Sequence, residues 1–156
     1  MCKMKIPLIS LLLIFFISCN KTDGVDELYE EVAATQMEAE LITLINNHRT
    51  NIGLEKLQIS NNAYRYAKDH NIYMIKINAI NHDNFIERAE NLSSETNATL
   101  VAENVANQYS NAQQILNAWL NSPNHKDNIE TNYEYTGICI LTNTNGEHYV
   151  TQILYK

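Results

Sequence analysis

The chain has 156 residues, 45% of them hydrophobic, with 18 acidic and 11 basic side chains and a net charge of −7. That length suits one compact core rather than two. An acidic chain without a basic run lacks the electrostatic footprint for nucleic acid or for anionic lipid headgroups, so neither is expected as a charge-driven partner.

The N-terminus carries Lys3 and Lys5, then an apolar run from Ile6 to Ile17 broken only by Pro7 and Ser10, then Ser18-Cys19. A basic start, an apolar stretch and a small-residue boundary are the parts of a secretory signal. The run falls well short of the roughly 20 residues needed to cross a hydrocarbon core about 30 Å thick, so a permanent transmembrane helix is not expected. Phe16-Ile17-Ser18-Cys19 resembles the lipobox of bacterial lipoproteins, with Phe in place of the usual Leu. The resemblance implies a diacylated Cys19 as the first mature residue. Lipid chains contribute about 0.8 kcal/mol per buried methylene, so two or three of them would hold the protein on a membrane. The expected location is a membrane lipoprotein facing the periplasm or the cell exterior, on the outer membrane or cell surface.

With Lys3 and Lys5 removed alongside residues 1–18, the 11 basic residues become 9 against 18 acidic ones, and the net charge moves from −7 to −9. On that reading Cys2 would leave with the signal and Cys19 would be acylated, which would leave Cys139 alone, with no disulfide expected inside the mature domain. In its apolar stretch Cys139 reads as a small buried hydrophobe. Residues 19–35, with Asp23, Asp26, Glu27, Glu30 and Glu31, read as an acidic tether, and residues 36–156 as the domain.

Met37, Leu41, Leu44, Ile45 and His48 recur at helical spacing until Gly53, which predicts a helix over 36–51. Ser60 can cap a second helix reaching Asn78, with Ala63, Ala67, His70 or Asn71, and Met74 on its inner face. A third helix follows Ser110, with Ile115, Leu116, Trp119 and Leu120 as its apolar side, and ends at Ser122-Pro123. A strand is expected over Glu103 to Asn107. Tyr135 to Leu141 and Tyr149 to Tyr155 read as two more strands, joined by a two-residue hairpin turn at Asn145-Gly146. Helices first and a hairpin last give an α+β architecture around a small antiparallel sheet.

Several stretches line up in order. They are Glu40 to Arg49, Asn81-His82 with Phe85 and Arg88 after it, Ala102-Glu103-Asn104-Val105-Ala106, Trp119 through Ile129, Tyr135-Thr136-Gly137-Ile138, and Tyr149-Val150-Thr151-Gln152. Together they resemble the CAP superfamily of cysteine-rich secretory, antigen 5 and pathogenesis-related proteins, in its cysteine-poor bacterial form. The resemblance covers nearly all of residues 36–156. It implies a three-layer α-β-α sandwich with a cleft lined by two histidines and two acidic residues, able to hold a divalent cation. His82 and Glu103 match two of those four places. Ser122 stands where the second acid is expected, and Tyr149 where the second histidine would be.

Bacterial members answer with the histidine of the Ser-Pro-x-His segment, here His125. The expected cleft is therefore His82, Glu103, Asn104, Ser122, His125 and Tyr149, with His82, His125 and Glu103 as the candidate metal ligands. Two imidazoles and one carboxylate with an open position suit zinc. The bland reading stands beside it: His82 or His125 as a loop brace or cap, and Glu103-Asn104 as structural. In a regular strand Tyr149 and Thr151 share one face while His148 and Gln152 share the other, so only a β-bulge would bring His148 to the cleft. His48 and His70, on helices, read as packing or surface residues. Two Asn-x-Ser/Thr matches at Asn91 and Asn97 carry little weight in a bacterial lipoprotein.

The expected function is a membrane-anchored binding module whose cleft takes a small ligand, a peptide or a glycan, with or without a cation such as zinc. The alternative is a hydrolase in which a cation on His82 and His125 activates water and Glu103 is the general base. No His-Glu-x-x-His motif or nucleophile elbow supports an enzyme. Fold alone does not fix function.

Overall fold

The computed structural model describes residues 32–156, with side chains from Gln36 onward; the expected signal segment, Cys19 and most of the acidic tether lie outside the described residues. Five helices and four strands follow in the order α1 (Val32–Asn51), β1 (Gln58–Ile59), α2 (Asn61–Ile77), α3 (Phe85–Thr96), β2 (Val101–Asn107), α4 (Ala112–Asn121), α5 (Pro123–Glu130), β3 (Tyr135–Thr142) and β4 (His148–Tyr155). The sheet order is β1-β3-β4-β2, with β2 at one edge. The three long strands are antiparallel, and only the two-residue β1 runs parallel, beside β3.

Period-two alternation splits the strands between two cores. Ile138, Ile140, Val150, Leu154, Ala102 and Ala106 face α1 and α4, where they meet Leu41, Ile45, Ile115 and Trp119. Cys139, Leu141, Tyr149, Ile153 and Val105 face α2 and α3, where they meet Ala63, Ala67, Met74 and Leu92. This is the α-β-α sandwich, and its α+β class agrees with the expectation from sequence. Cys139 is a free, buried thiol whose pKa burial pushes up to about 12, so it is packing rather than a nucleophile.

α1 starts at Val32, four residues before the expected boundary at Gln36. α2 has the expected ends: Ser60 accepts from the Ala63 amide at 3.2 Å, and Asn78 closes the helix in the left-handed conformation. α4 is capped one residue later than Ser110, by Asn111, whose side chain accepts from the Gln114 amide. Pro123 ends α4 and also opens α5, because its fixed φ and missing N–H suit a first helical position.

The hairpin differs from expectation. Asn143 and Glu147 close a three-residue loop, Thr144-Asn145-Gly146, in which the Gly146 amide donates to the Asn143 carbonyl at 2.9 Å. Gly146 has φ +80 while Asn145 keeps a negative φ. A two-residue type I′ turn would need both positive. The Asn143 side chain accepts from the Asn145 and Glu147 amides and stabilises the longer loop instead.

Two features lock the layers together. Gly137 in β3 lies directly under α2, where a Cβ would overlap the Tyr64 and Ala63 backbone. Arg49, fully buried at the end of α1, donates to the carbonyls of Glu55, Ile129, Thr131 and Tyr133. It thereby ties the C-terminal end of α5 to α1 with a guanidinium that makes four hydrogen bonds, all to backbone carbonyls.

Candidate functional site

The chemistry gathers around Glu103 on the edge strand β2. Its neighbours Ala102 and Asn104 point to the other face, so Glu103 alone turns toward α2 and α3 at this point. The carboxylate is 1% exposed. Arg88 of α3 reaches it with Nε to Oε2 at 3.0 Å and with Nη2 to Oε2 at 2.7 Å and Oε1 at 2.9 Å. His82 Nδ1 meets Oε1 at 2.7 Å, and His70 Nε2 stands 3.7 Å from the same oxygen. A buried carboxylate with this many donors is fixed in place.

The loop between α2 and α3 sets His82. Asn78 and Asn84 both adopt left-handed φ, at 51 and 58, and make the tight path that a β-branched residue would resist. The Asp83 amide bonds the Asn81 side chain, and His70 Nε2 donates to the Asn81 carbonyl at 2.8 Å. Arg88 Nη1 also donates to the Asp83 carbonyl. His82 therefore presents Nδ1 to Glu103 with its ring 49% exposed, which leaves Nε2 turned outward.

His125 stands on α5, half-buried. Its pKa is lowered by burial and, next, by the imidazole of His82. Ser122 and His125 line a cavity of about 290 Å³ with Ile80, Asn107, Tyr109 and Trp119. Asn104 is buried behind this wall. Its Nδ2 donates to Gln152 Oε1 at 3.0 Å and to the His125 carbonyl at 3.4 Å. Tyr149 is buried on the same sheet face as Glu103 and donates to Asn78 Oδ1 at 3.3 Å. Burial raises its pKa. β2 and β4 pair without a bulge, and His148 stays on the opposite face, bonded to Thr142.

The structure thus brings His82 to Glu103 and places Ser122 with His125 in the adjoining cavity. Asn104 and Tyr149 support these walls through hydrogen bonds to the backbone of His125 and the side chain of Asn78. Two participants are absent from the site predicted from sequence. Arg88 belongs to one of the stretches that carry the family resemblance, but its pairing with Glu103 arises only in the fold. His70 reads from sequence as a packing or surface residue; it is buried, and it holds the His82 loop. Burial lowers the His70 pKa, and the nearby Glu103 only partly offsets it.

The fit to a divalent ion can be read from the donors. Both Glu103 oxygens are engaged by Arg88, and one also by His82. An ion on this carboxylate would have to displace the guanidinium and then sit beside it. Among the described residues, no group of three or more His, Cys, Asp or Glu side chains is placed to hold a metal. This arrangement does not fit a zinc ion on His82, His125 and Glu103.

Residues 42–154 match the sequence profile of CAP, the cysteine-rich secretory protein family. The chain belongs to this family. A search of curated protein sequences finds no match. Among solved structures, the CAP domain superposes on an outer surface protein from Borrelia burgdorferi with a TM-score of 0.75 at 22% identity, covering 83% of this chain and 98% of that one. It also resembles an extracellular protein containing an SCP domain from Bacillus anthracis, with a TM-score of 0.70 at 22% identity over 79% of this chain. A cysteine-rich secretory protein from Staphylococcus aureus gives 0.64 at 16% identity over 80%. This chain spans 41% and 40% of those last two. At such identities these likenesses speak for the CAP fold. Among the described residues, no helix is long and apolar enough to cross a membrane.

Proposed function

We propose that this chain is an extracytoplasmic binding module, tethered to a membrane through a lipidated Cys19, whose cleft beside His125 takes a small ligand, a peptide or a glycan segment. The observation that carries the reading is the cavity of about 290 Å³ in which a half-buried imidazole and a serine converge on an otherwise largely apolar wall with Trp119 and Tyr109. Such a mixture of apolar walls and a few convergent polar groups is the usual make-up of a ligand site. The signal-like N-terminus and the printed descriptions of the structural neighbours, an outer surface protein and an extracellular protein, support a location outside the cytoplasm.

In this reading Arg88, and not a metal, neutralises Glu103, and Glu103 with Arg88 and His82 braces the edge strand whose Val105, Ala106 and Asn107 line the cleft. The rival, a hydrolase with a cation on His82 and His125 and Glu103 as general base, needs a carboxylate free to accept a proton. A carboxylate already bound to a guanidinium is a poor base.

Three measurements test the proposal. Cys19→Ser should leave the membrane fraction or stay unprocessed; a variant processed and bound like wild type removes the tether. A thermal-shift screen of peptides and oligosaccharides should yield a stabilising ligand whose effect is lost in His125→Ala. Zinc at pH 7.5 should leave the wild-type melting curve unchanged. A site filled at one hundred times its dissociation constant would add about 2.7 kcal/mol, a shift of several degrees, and would overturn the metal-free reading.

A further inference from the structure

β2 ends the sheet order β1-β3-β4-β2, so one of its sides has no neighbouring strand. Just before β2, Leu100 and Lys156 exchange both backbone bonds, at 3.0 and 3.1 Å, and just after it the Gln108 amide donates to the His148 carbonyl. Facing residues of an antiparallel pair alternate between bonded and non-bonded. With the β2–β4 register, Ala102, Asn104 and Ala106 therefore bond β4, while Val101, Glu103, Val105 and Asn107 turn N–H and C=O outward.

An open edge is a template for another chain, and folds cover or charge such edges. Here α4 and α5 cover the middle of the strand: Asn128 takes the Glu103 carbonyl and Trp119 Nε1 the Val105 carbonyl, each at 3.1 Å. At Val101 neither N–H nor C=O has a partner among the described residues. Val101 borders a groove of about 430 Å³ between α3 and the start of β2, walled also by Phe85, Ile86, Ala89, Glu90 and Leu100. The groove shares no residue with the His125 cavity. It is therefore distinct from the cleft proposed above and goes beyond that reading.

α3 supplies the floor of the groove. It buries only Leu92 against the core, and Ile86, Ala89, Glu90 and Ser93, three or four residues apart, form a second face toward the groove. Ile86 is 73% exposed, the highest value among the large apolar side chains described. Val101 packs on the α3 side of the sheet. A strand laid along Val101 would turn alternate side chains to that same side, onto Ile86 and Ala89. Charge then selects the occupant. Arg88 and Glu95 of α3 are paired with Glu103 and Arg65, whereas Glu87 and Glu90 have no ion-pair partner among the described residues. A second copy would set these carboxylates, on a chain of net charge −7, against their own kind; a basic peptide meets its opposite.

We infer that the groove between α3 and β2 docks an extended basic peptide as an added strand, whose backbone bonds Val101, whose central apolar side chain rests on Ile86 and Ala89, and whose flanking cation meets Glu90. In strand addition the main-chain bonds give affinity and the pocket for alternate side chains gives selectivity. The segment is short, because Asn128 and α5 close the edge from Glu103 onward.

The test titrates acetyl-Lys-Thr-Ile-Thr-Lys-amide into the full chain and follows backbone amides by NMR. Binding should be saturable and should move the Val101 amide proton downfield. Methylating the isoleucine nitrogen removes the donor to the Val101 carbonyl at unchanged charge and should weaken binding about tenfold or more. The peptide with glutamate in place of both lysines should bind at least about threefold more weakly. Ile86→Glu and Glu90→Lys alter exposed side chains, and each should weaken the lysine peptide without lowering the melting temperature. His125→Ala should leave peptide binding intact, which separates this groove from the cleft. Absence of a saturable Val101 shift, equal binding of the methylated peptide, or undiminished binding by Ile86→Glu would each overturn the inference. Self-association of the chain that Ile86→Glu abolishes would also overturn it, by naming a second copy as the occupant.

Discussion

Asn128 of α5 donates its side-chain amide to Asn104 Oδ1 at 2.8 Å and to the Glu103 carbonyl at 3.1 Å, joining α5 to the edge strand that carries Glu103. α5 has eight residues and buries only Ile129. So short and polar a helix has little intrinsic stability, and its position comes from such bonds and from Arg49, which holds the Ile129 and Thr131 carbonyls beside them. Asn128→Ala leaves Asn104 Oδ1 without this donor. The cost should be about 1–3 kcal/mol, read as a lowered denaturation midpoint. Any ligand of the His125 cleft should also bind less well. An unchanged midpoint would mean that Arg49 and the burial of Ile129 hold α5 without Asn128.

The Arg88–Glu103 pair lends itself to a double-mutant cycle. Arg88→Met leaves a buried carboxylate uncompensated and should cost about 3–5 kcal/mol, measured by urea denaturation. Glu103→Gln should cost less, and the double variant less than the sum, because removing both charges removes the stranded one. Additive losses would show that the two side chains act independently.

Much of this fold was legible in the sequence where local signals and burial agree. The Ser60 cap, the helix end near Asn78, the buried face Ala63, Ala67 and Met74, and the alternation that sends Tyr149 and His148 to opposite faces all follow from period and propensity. The segment 85–96 stayed unassigned because α3 buries only Leu92 and is bounded by Asn84 and Asn97, both left-handed and without side-chain caps. β1 has two residues, too few to show any period. At the site, His82 and Glu103 were legible through the family pattern. The roles of Arg88 and His70 were not, since each depends on a partner distant along the chain, and an isolated His or Arg on a helix carries no mark of that partner.

Gly137 is the tightest contact between the sheet and α2. A methyl group there would strike helix backbone, which cannot rotate away as a side chain could. Gly137→Ala should therefore force α2 off β3 and prevent stable folding, seen as loss of the cooperative melting transition. The same change at Gly146, where nothing lies within 4 Å but φ is +80, should cost only about 1 kcal/mol. Equal tolerance at both positions would contradict the close approach at Gly137.

Acid should weaken the domain through its two perturbed histidines. His70 is lowered by burial, a trend that Glu103 opposes and Arg88 and His82 reinforce, and His125 is lowered by burial and by His82. A folded pKa below the unfolded value of about 6.5 means that the unfolded chain takes up protons first as pH falls. The contribution of these two residues is therefore complete above about pH 6.5 and declines as pH drops from there through the folded values. Each histidine can add at most about 1.4 kcal/mol per pH unit to the slope, so the pair sets a limit of about 2.7. Melting temperatures should be level from pH 8 to 7 and fall between 6.5 and 5. His70→Gln preserves a donor for the Asn81 carbonyl and removes one titrating group, so its acid limb should be shallower even if its neutral-pH stability is lower. A wild-type curve that is flat down to pH 5, or a His70→Gln curve of the same steepness, would show that burial does not hold His70 neutral.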